Sequence, residues 1–113
     1  MKSTEQGRLA EAAAAASLER KGFKIIDRNW RTRVCEIDII AAKQSVIYFV
    51  EVKYRKTDSQ GSGLDYITPR KLSQMRYAAR IWIGQNDWAG DYRLAAMEVE
   101  ETPPRAGDLV QVN

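Results

Sequence analysis

The apolar positions of this chain change period as it proceeds, and the changes mark its elements. Residues from about Thr4 to Lys21 predict a helix. Ala12 to Ala16 is a run of the best helix former, Gly22 supplies a stop, and Arg20 and Lys21 in the last turn suit the macrodipole. Phe23 to Arg31 predicts a strand, with Phe23, Ile25 and Asp27 on one face, Lys24, Ile26 and Arg28 on the other, and Trp30 packing at its end. Two β-branched runs follow, one around Ile37, Ile39 and Ile40, the other from Val46 to Tyr54, with a turn near Lys43 to Ser45. The second run is so apolar that it predicts a strand buried on both faces. Lys56 to Asp65 is a polar, glycine-containing loop. Thr68 as N-cap and Pro69 at the first helical position open a second helix with a buried stripe of Leu72, Met75, Ala79, Trp82 and Ile83, ended by Gly84. Arg76 and Arg80 project elsewhere. Asp87 to Gly90 is a turn, and Tyr92 to Val99 a fourth strand. Beyond it Pro103, Pro104 and Gly107 predict an irregular tail, in which Leu109 to Val112 adds an edge strand or docks on a partner. Helix, three strands, helix, strand is met most economically by one central sheet flanked by helices.

Charged residues interrupt the apolar strands at one place. Strand side chains alternate between faces, so Glu36, Asp38 and Ile40 are expected on one face and Ile37, Ile39 and Ala41 on the other. On the next strand Glu51, Lys53 and Arg55 share a face, opposite Val50, Val52 and Tyr54. An antiparallel hairpin centred between Gln44 and Ser45 sets Asp38 opposite Glu51 and Glu36 opposite Lys53. Two opposed carboxylates repel. They call for a cation between them, or for protonation of one; a hard divalent cation with oxygen ligands is the simpler answer. The bland alternative is a Glu51–Lys53 or Asp38–Lys53 ion pair. Glu11 lies on the apolar stripe of the first helix with Ala14, Ala15 and Leu18, which sets it either at the edge of the core or aimed into a site.

Composition narrows the chemistry. A chain of 113 residues with 44% hydrophobic residues is sized for one domain. Histidine is absent, which excludes Ser-His and Cys-His catalysis and histidine bases. Cys35 is the one cysteine, so no internal disulfide forms and no ordinary zinc ligand set exists; its plain reading is a small apolar residue at a strand start. Acid, base or metal chemistry must come from carboxylates, Lys, Tyr and water. The net charge is +3, with basic residues grouped at Arg28, Arg31 and Arg33, at Lys53, Arg55 and Lys56, and at Arg70, Lys71, Arg76 and Arg80. These are either solvated faces or the approach of a polyanion to a carboxylate pocket. No apolar run reaches bilayer-spanning length and no signal-peptide pattern opens the chain, so the expected compartment is the cytoplasm.

An ordered set of motifs carries a resemblance. It comprises Gly7 with Ala10-Glu11, Gly22-Phe23, Arg28-Asn29-Trp30, Glu36 to Ala41, Phe49-Val50-Glu51-Val52-Lys53 with Arg55, and Ile67-Thr68-Pro69-Arg70-Lys71. With the αβββαβ order, this resembles the PD-(D/E)xK, restriction-endonuclease-like nuclease superfamily, and more narrowly the YraN-like family of small bacterial proteins related to Holliday-junction resolvases. The resemblance implies an α/β fold with one central mixed sheet flanked by helices, a single nuclease-like domain over 1–100, and a C-terminal tail over 101–113. It implies Mg²⁺ or Mn²⁺ held by Asp38, Glu51 and the Val52 carbonyl. Lys53 would act on the attacking water and the phosphate, Glu11 would be an additional carboxylate, and Glu36 would have a less defined role. Arg55, Lys56, Arg70 and Lys71 would contact nucleic acid, DNA ahead of RNA, and a homodimer would suit a two-fold-symmetric junction. Two positions depart from the family pattern: Cys35 stands where glycine is usual, and Leu94-Ala95 replaces Phe-Asp.

Overall fold

The structure is a computed structural model that describes residues 5–55, 67–100 and 105–113. The predicted loop from Lys56 to Asp65 lies outside them, as do residues 101–104. Helix α1 runs Glu5–Arg20, strands β1, β2 and β3 run Lys24–Arg31, Glu36–Lys43 and Val46–Arg55, helix α2 runs Pro69–Gln85, and β4 runs Asp91–Glu100. Two short strands, β5 (Arg105–Ala106) and β6 (Val110–Gln111), complete the order. The architecture is mixed α/β with one central sheet.

Local chemistry sets the helix ends. The Gly22 N–H donates to Glu19 O and the Phe23 N–H to Leu18 O, the paired bonds of a Schellman motif. Gly22 has the positive φ of 95° that this motif places at its position, and Phe23 and Leu18 pack into the same cluster. At the start of α2 the Thr68 hydroxyl accepts from the Lys71 N–H at 3.0 Å, with Pro69 in the first turn. The helix passes Gly84 and is closed by Asn86, whose N–H and side chain both donate to Trp82 O.

The sheet has the order β1-β2-β3-β4-β5, with β6 also pairing β4. The β1–β2 and β2–β3 pairs are antiparallel and β3–β4 is parallel. A parallel neighbour needs a crossover, and α2 lies in that connection. Helix α1 covers one face, packing Ala10, Ala14 and Leu18 on Ile39, Val50, Val52 and Met97. Helix α2 covers the other, packing Met75, Ala79 and Trp82 on Ile40, Phe49 and Leu94. So β3 is buried on both faces, as its unbroken apolar run predicts. The tail adds to the same sheet: β6 pairs Ala95 with Gln111 and Ala96 with Val110, and β5 pairs Val99 with Ala106. Among the described residues no helix is long and apolar enough to cross a membrane.

The expected alternation fails in one strand. Ile37 packs with Ile40 and Cys35 on the α2 face, whereas Ile39 and Ala41 pack toward α1. The break falls across Asp38, between Ile37 and Ile39; on the neighbouring strand Asn29 has φ 55°, while the β1–β2 register is continuous there and shifts instead between Ile25 and Asp27.

A candidate acidic site between β2, β3 and α2

The hairpin register is the one centred between Gln44 and Ser45. Lys43 pairs with Val46, and the ladder runs up to Ile39↔Val50. One step further the ladder gives way to a side chain: the Val52 N–H donates to Asp38 Oδ2 at 2.7 Å, in a buried bond. Asp38 is 2% exposed and Glu51 9% exposed, so two adjacent strands bring two carboxylates into the interior together. A buried carboxylate is tolerated only with strong donors or a cation nearby. Asp38 has the backbone N–H of Val52. Glu51 has Lys71, whose Nζ lies 3.3 Å from Oε1. Glu51 thus meets a cation from the first turn of α2, one that strand pairing alone does not anticipate.

These groups border one cavity of about 270 Å³. Val34, Cys35, Glu36 and Asp38 line it from β2 and its approach, Glu51 from β3, and Lys71 and Gln74 from α2. Cys35 is buried, and its thiol is pushed above its ordinary value of 9.0, first by burial and then by the charges of Glu51, Asp38 and Glu36, while Lys71 pulls it down. The thiol therefore stays protonated at neutral pH, and the donors this cavity offers are carboxylate oxygens. Among the described residues no three or more of His, Cys, Asp and Glu form a ready-made metal cluster.

The remaining predicted residues fall in three places. Glu11 is buried on α1, on the opposite face of the sheet, and does not line the cavity. It is joined to the cavity wall by Asn29, whose Nδ2 donates to Glu11 Oε1 at 2.8 Å and to Glu36 Oε2 at 3.0 Å. Lys53 is exposed on β3, opposite Glu98 of β4 in the parallel register. Arg55 binds Glu98 Oε2 through Nη1 at 2.9 Å, and Arg70 is exposed in the first turn of α2. Lys56 lies outside the described residues.

Two contributions escape sequence reasoning. Asn29 ties two carboxylates together, and the hint is its residue type, since Asn tolerates a left-handed backbone within a strand. Lys71 is read from the chain as a nucleic-acid contact; only the approach of α2 to the end of β3 makes it the partner of Glu51.

The fold and cavity define a class: a small α/β protein with a mixed sheet and a buried pair of carboxylates facing the start of a helix. The family follows from comparison with known proteins. The model of the uncharacterised protein family UPF0102, the YraN-like family, matches residues 10–112, and the chain belongs to that family. It is 36% identical over 99 residues to a UPF0102 protein of Vibrio campbellii, covering 85% of this chain and 81% of the relative. A UPF0102 protein of Cytophaga hutchinsonii is 35% identical over 111 residues, 96% of this chain and 98% of the relative. One from Sulfurihydrogenibium is 40% identical over 95 residues, 83% of each.

Proposed function

We propose that the protein is a divalent-metal-dependent endonuclease of the PD-(D/E)xK kind that hydrolyses phosphodiester bonds in DNA, with branched or structured DNA among its substrates. The observation that carries this reading is the pair Asp38 and Glu51, both buried and both lining one cavity. The donor set fits a hard ion such as Mg²⁺ or Mn²⁺. Such ions are held by one or two carboxylates and keep positions for water and phosphate oxygens. Asp38 and Glu51 would hold the ion, with the Val52 carbonyl as the third protein ligand that the resemblance implies.

Bound there, the ion supplies Lewis acidity toward a phosphate oxygen and favours deprotonation of water. The chain's own residues do the rest. Val52 N–H fixes the Asp38 carboxylate in one orientation. Lys53, at the exposed end of β3, orients the attacking water and offsets charge developing on the phosphate. Asn29 holds Glu36 at the cavity wall and links it to Glu11. Arg55 and Arg70, with Lys56, supply positive charge for the DNA backbone.

A second reading has its own supporting observation. Glu51 already has a cationic neighbour in Lys71, as it would in a nucleic-acid-binding module or interaction subunit that keeps the fold without the chemistry. Cleavage assays separate the two. Labelled single-stranded, duplex, flapped and four-way-junction DNAs and matching RNAs are incubated with Mg²⁺, Mn²⁺ or EDTA. The nuclease reading expects metal-dependent cutting that falls at least about a hundredfold in Asp38→Asn, on the scale of losing one electrostatic contributor to a transition state. Equal cutting by Asp38→Asn would expose a contaminant. Salt-sensitive binding that persists in EDTA, without cutting of any substrate, would favour the binding module.

A further inference from the structure

We infer that Lys71 is a displaceable counter-ion. It holds Glu51 when no divalent ion is bound, is displaced from that carboxylate when one binds, and then contacts the substrate phosphate. This rests on the metal reading above and assigns Lys71 a role in it.

Three observations carry the inference. First, Lys71 and a divalent ion would compete for the same atoms. Its Nζ lies 3.3 Å from Glu51 Oε1, and both residues line the cavity that Asp38 also faces. Second, the pair is loose. Close ammonium–carboxylate contacts sit at about 2.7–2.9 Å, and the two side chains here keep 28% and 11% of their surface accessible. A divalent ion carries twice the charge and is a compact oxygen binder, so it is the stronger partner for Glu51 and repels a neighbouring ammonium. Third, the local helix gives Lys71 no reason to be where it is. Pro69, Arg70 and Lys71 open α2, and its first turn carries no acidic residue. A cation there opposes the helix macrodipole. What offsets that cost is the anion facing it, Glu51 in the structure and a phosphate once Glu51 has bound its ion. The four-carbon stem of lysine lets the ammonium exchange one for the other while the Lys71 N–H stays on Thr68.

The test reads metal and DNA binding rather than turnover. Mn²⁺ affinity is measured by calorimetry and by electron paramagnetic resonance for the wild type, Asp38→Asn, Lys71→Met and Lys71→Arg. Urea unfolding confirms that each variant is folded. Lys71→Met is expected to bind Mn²⁺ about three- to tenfold tighter, from loss of a competing ion pair and relief of cation–cation repulsion. Lys71→Arg, which keeps the charge, is expected near the wild type. Unchanged or weaker binding by Lys71→Met, with a wild type that binds and an Asp38→Asn that does not, would overturn the competition while leaving the metal reading standing. No Mn²⁺ binding by wild type or Lys71→Met would overturn both.

The second half is read from the salt dependence of binding to a labelled four-way DNA junction. In Ca²⁺, used as a hard divalent ion in place of Mg²⁺, Lys71→Met should lower the slope of log affinity against log salt by about one unit. In EDTA it should leave the slope unchanged. Equal slopes for Lys71→Met and wild type in both conditions would overturn the phosphate contact.

Discussion

At the scale of single residues, the cavity is governed by who neutralises whom. Cys35 reports on these charges: burial raises its pKa most, Lys71 lowers it, and Glu51, Asp38 and Glu36 raise it. The folded value lies above the ordinary 9.0, so folding favours the protonated thiol. That contribution to stability is complete below the unfolded value and is lost as pH rises through the folded one. Alkylation of Cys35 by iodoacetamide should therefore show a rate profile whose midpoint lies above that of a free thiol. Lys71→Met should move it further up and Glu51→Gln should move it down. A midpoint at the free-thiol value, unmoved by either substitution, would mean that the thiol does not sense these charges. That a lone cysteine would be buried at a strand start is legible in the chain. Its position among three carboxylates is not, because Glu51 and Lys71 reach it only through tertiary packing. Asn29 is the same case: its residue type hints at a left-handed backbone, but its bonds to Glu11 and Glu36 depend on how α1, β1 and β2 meet.

At the scale of elements, the hairpin between β2 and β3 sets the register on which the acidic pair depends. Its two-residue turn consists of Gln44 and Ser45, with φ of 51° and 65°. Both residues therefore sit in the left-handed region that Asn and Gly occupy far more readily. The turn is weakly signalled in the sequence because the residues are the wrong type for it; the apolar strands on either side impose it. Replacing the pair, Gln44→Asn with Ser45→Gly, removes that mismatch. It should stabilise the fold by about 1 kcal/mol, the scale of left-handed strain in a residue with a Cβ, and raise Tm by a few degrees. An unchanged or lower Tm would show that the Gln44 and Ser45 side chains make compensating contacts. The helix ends tell the opposite story. Gly22, Thr68 and Pro69 mark them correctly in the sequence, because capping is a local matter of backbone geometry and one or two hydrogen bonds.

At the scale of the whole molecule, one sheet joins the chain from β1 to the last residues. The segment from Arg105 to Asn113 is built into it. The Val112 N–H donates to Leu94 O, the Leu94 N–H to Asn113 Oδ1, and the Gly107 N–H to Glu98 O. Ala106 and Leu109 pack against the α1 side of the core and Val112 against the α2 side. Removal of residues 105–113 should cost about 2–4 kcal/mol, from partial burial of two larger apolar side chains and the loss of pairing along β4. Urea unfolding with an unchanged midpoint would reduce the segment to an appendage.

The sequence by itself determined the order of the two helices and four main strands, the caps at Gly22, Thr68 and Pro69, the double burial of β3 and the family; the second helix, though, runs past the Gly84 stop to its cap at Asn86. These rest on local propensity, on capping bonds and on patterns that repeat every two or three to four residues. It also singled out Asp38 and Glu51, because carboxylates inside β-branched runs are conspicuous. Tertiary structure decided the partners of those carboxylates. The parallel crossover brings the first turn of α2 to the end of β3, so Glu51 meets Lys71. Asn29, with its left-handed backbone, ties Glu36 to Glu11 across two elements. Neither result has a local signature, because each depends on where a second element stops. That is set by the packing of the two helices on opposite faces of the sheet.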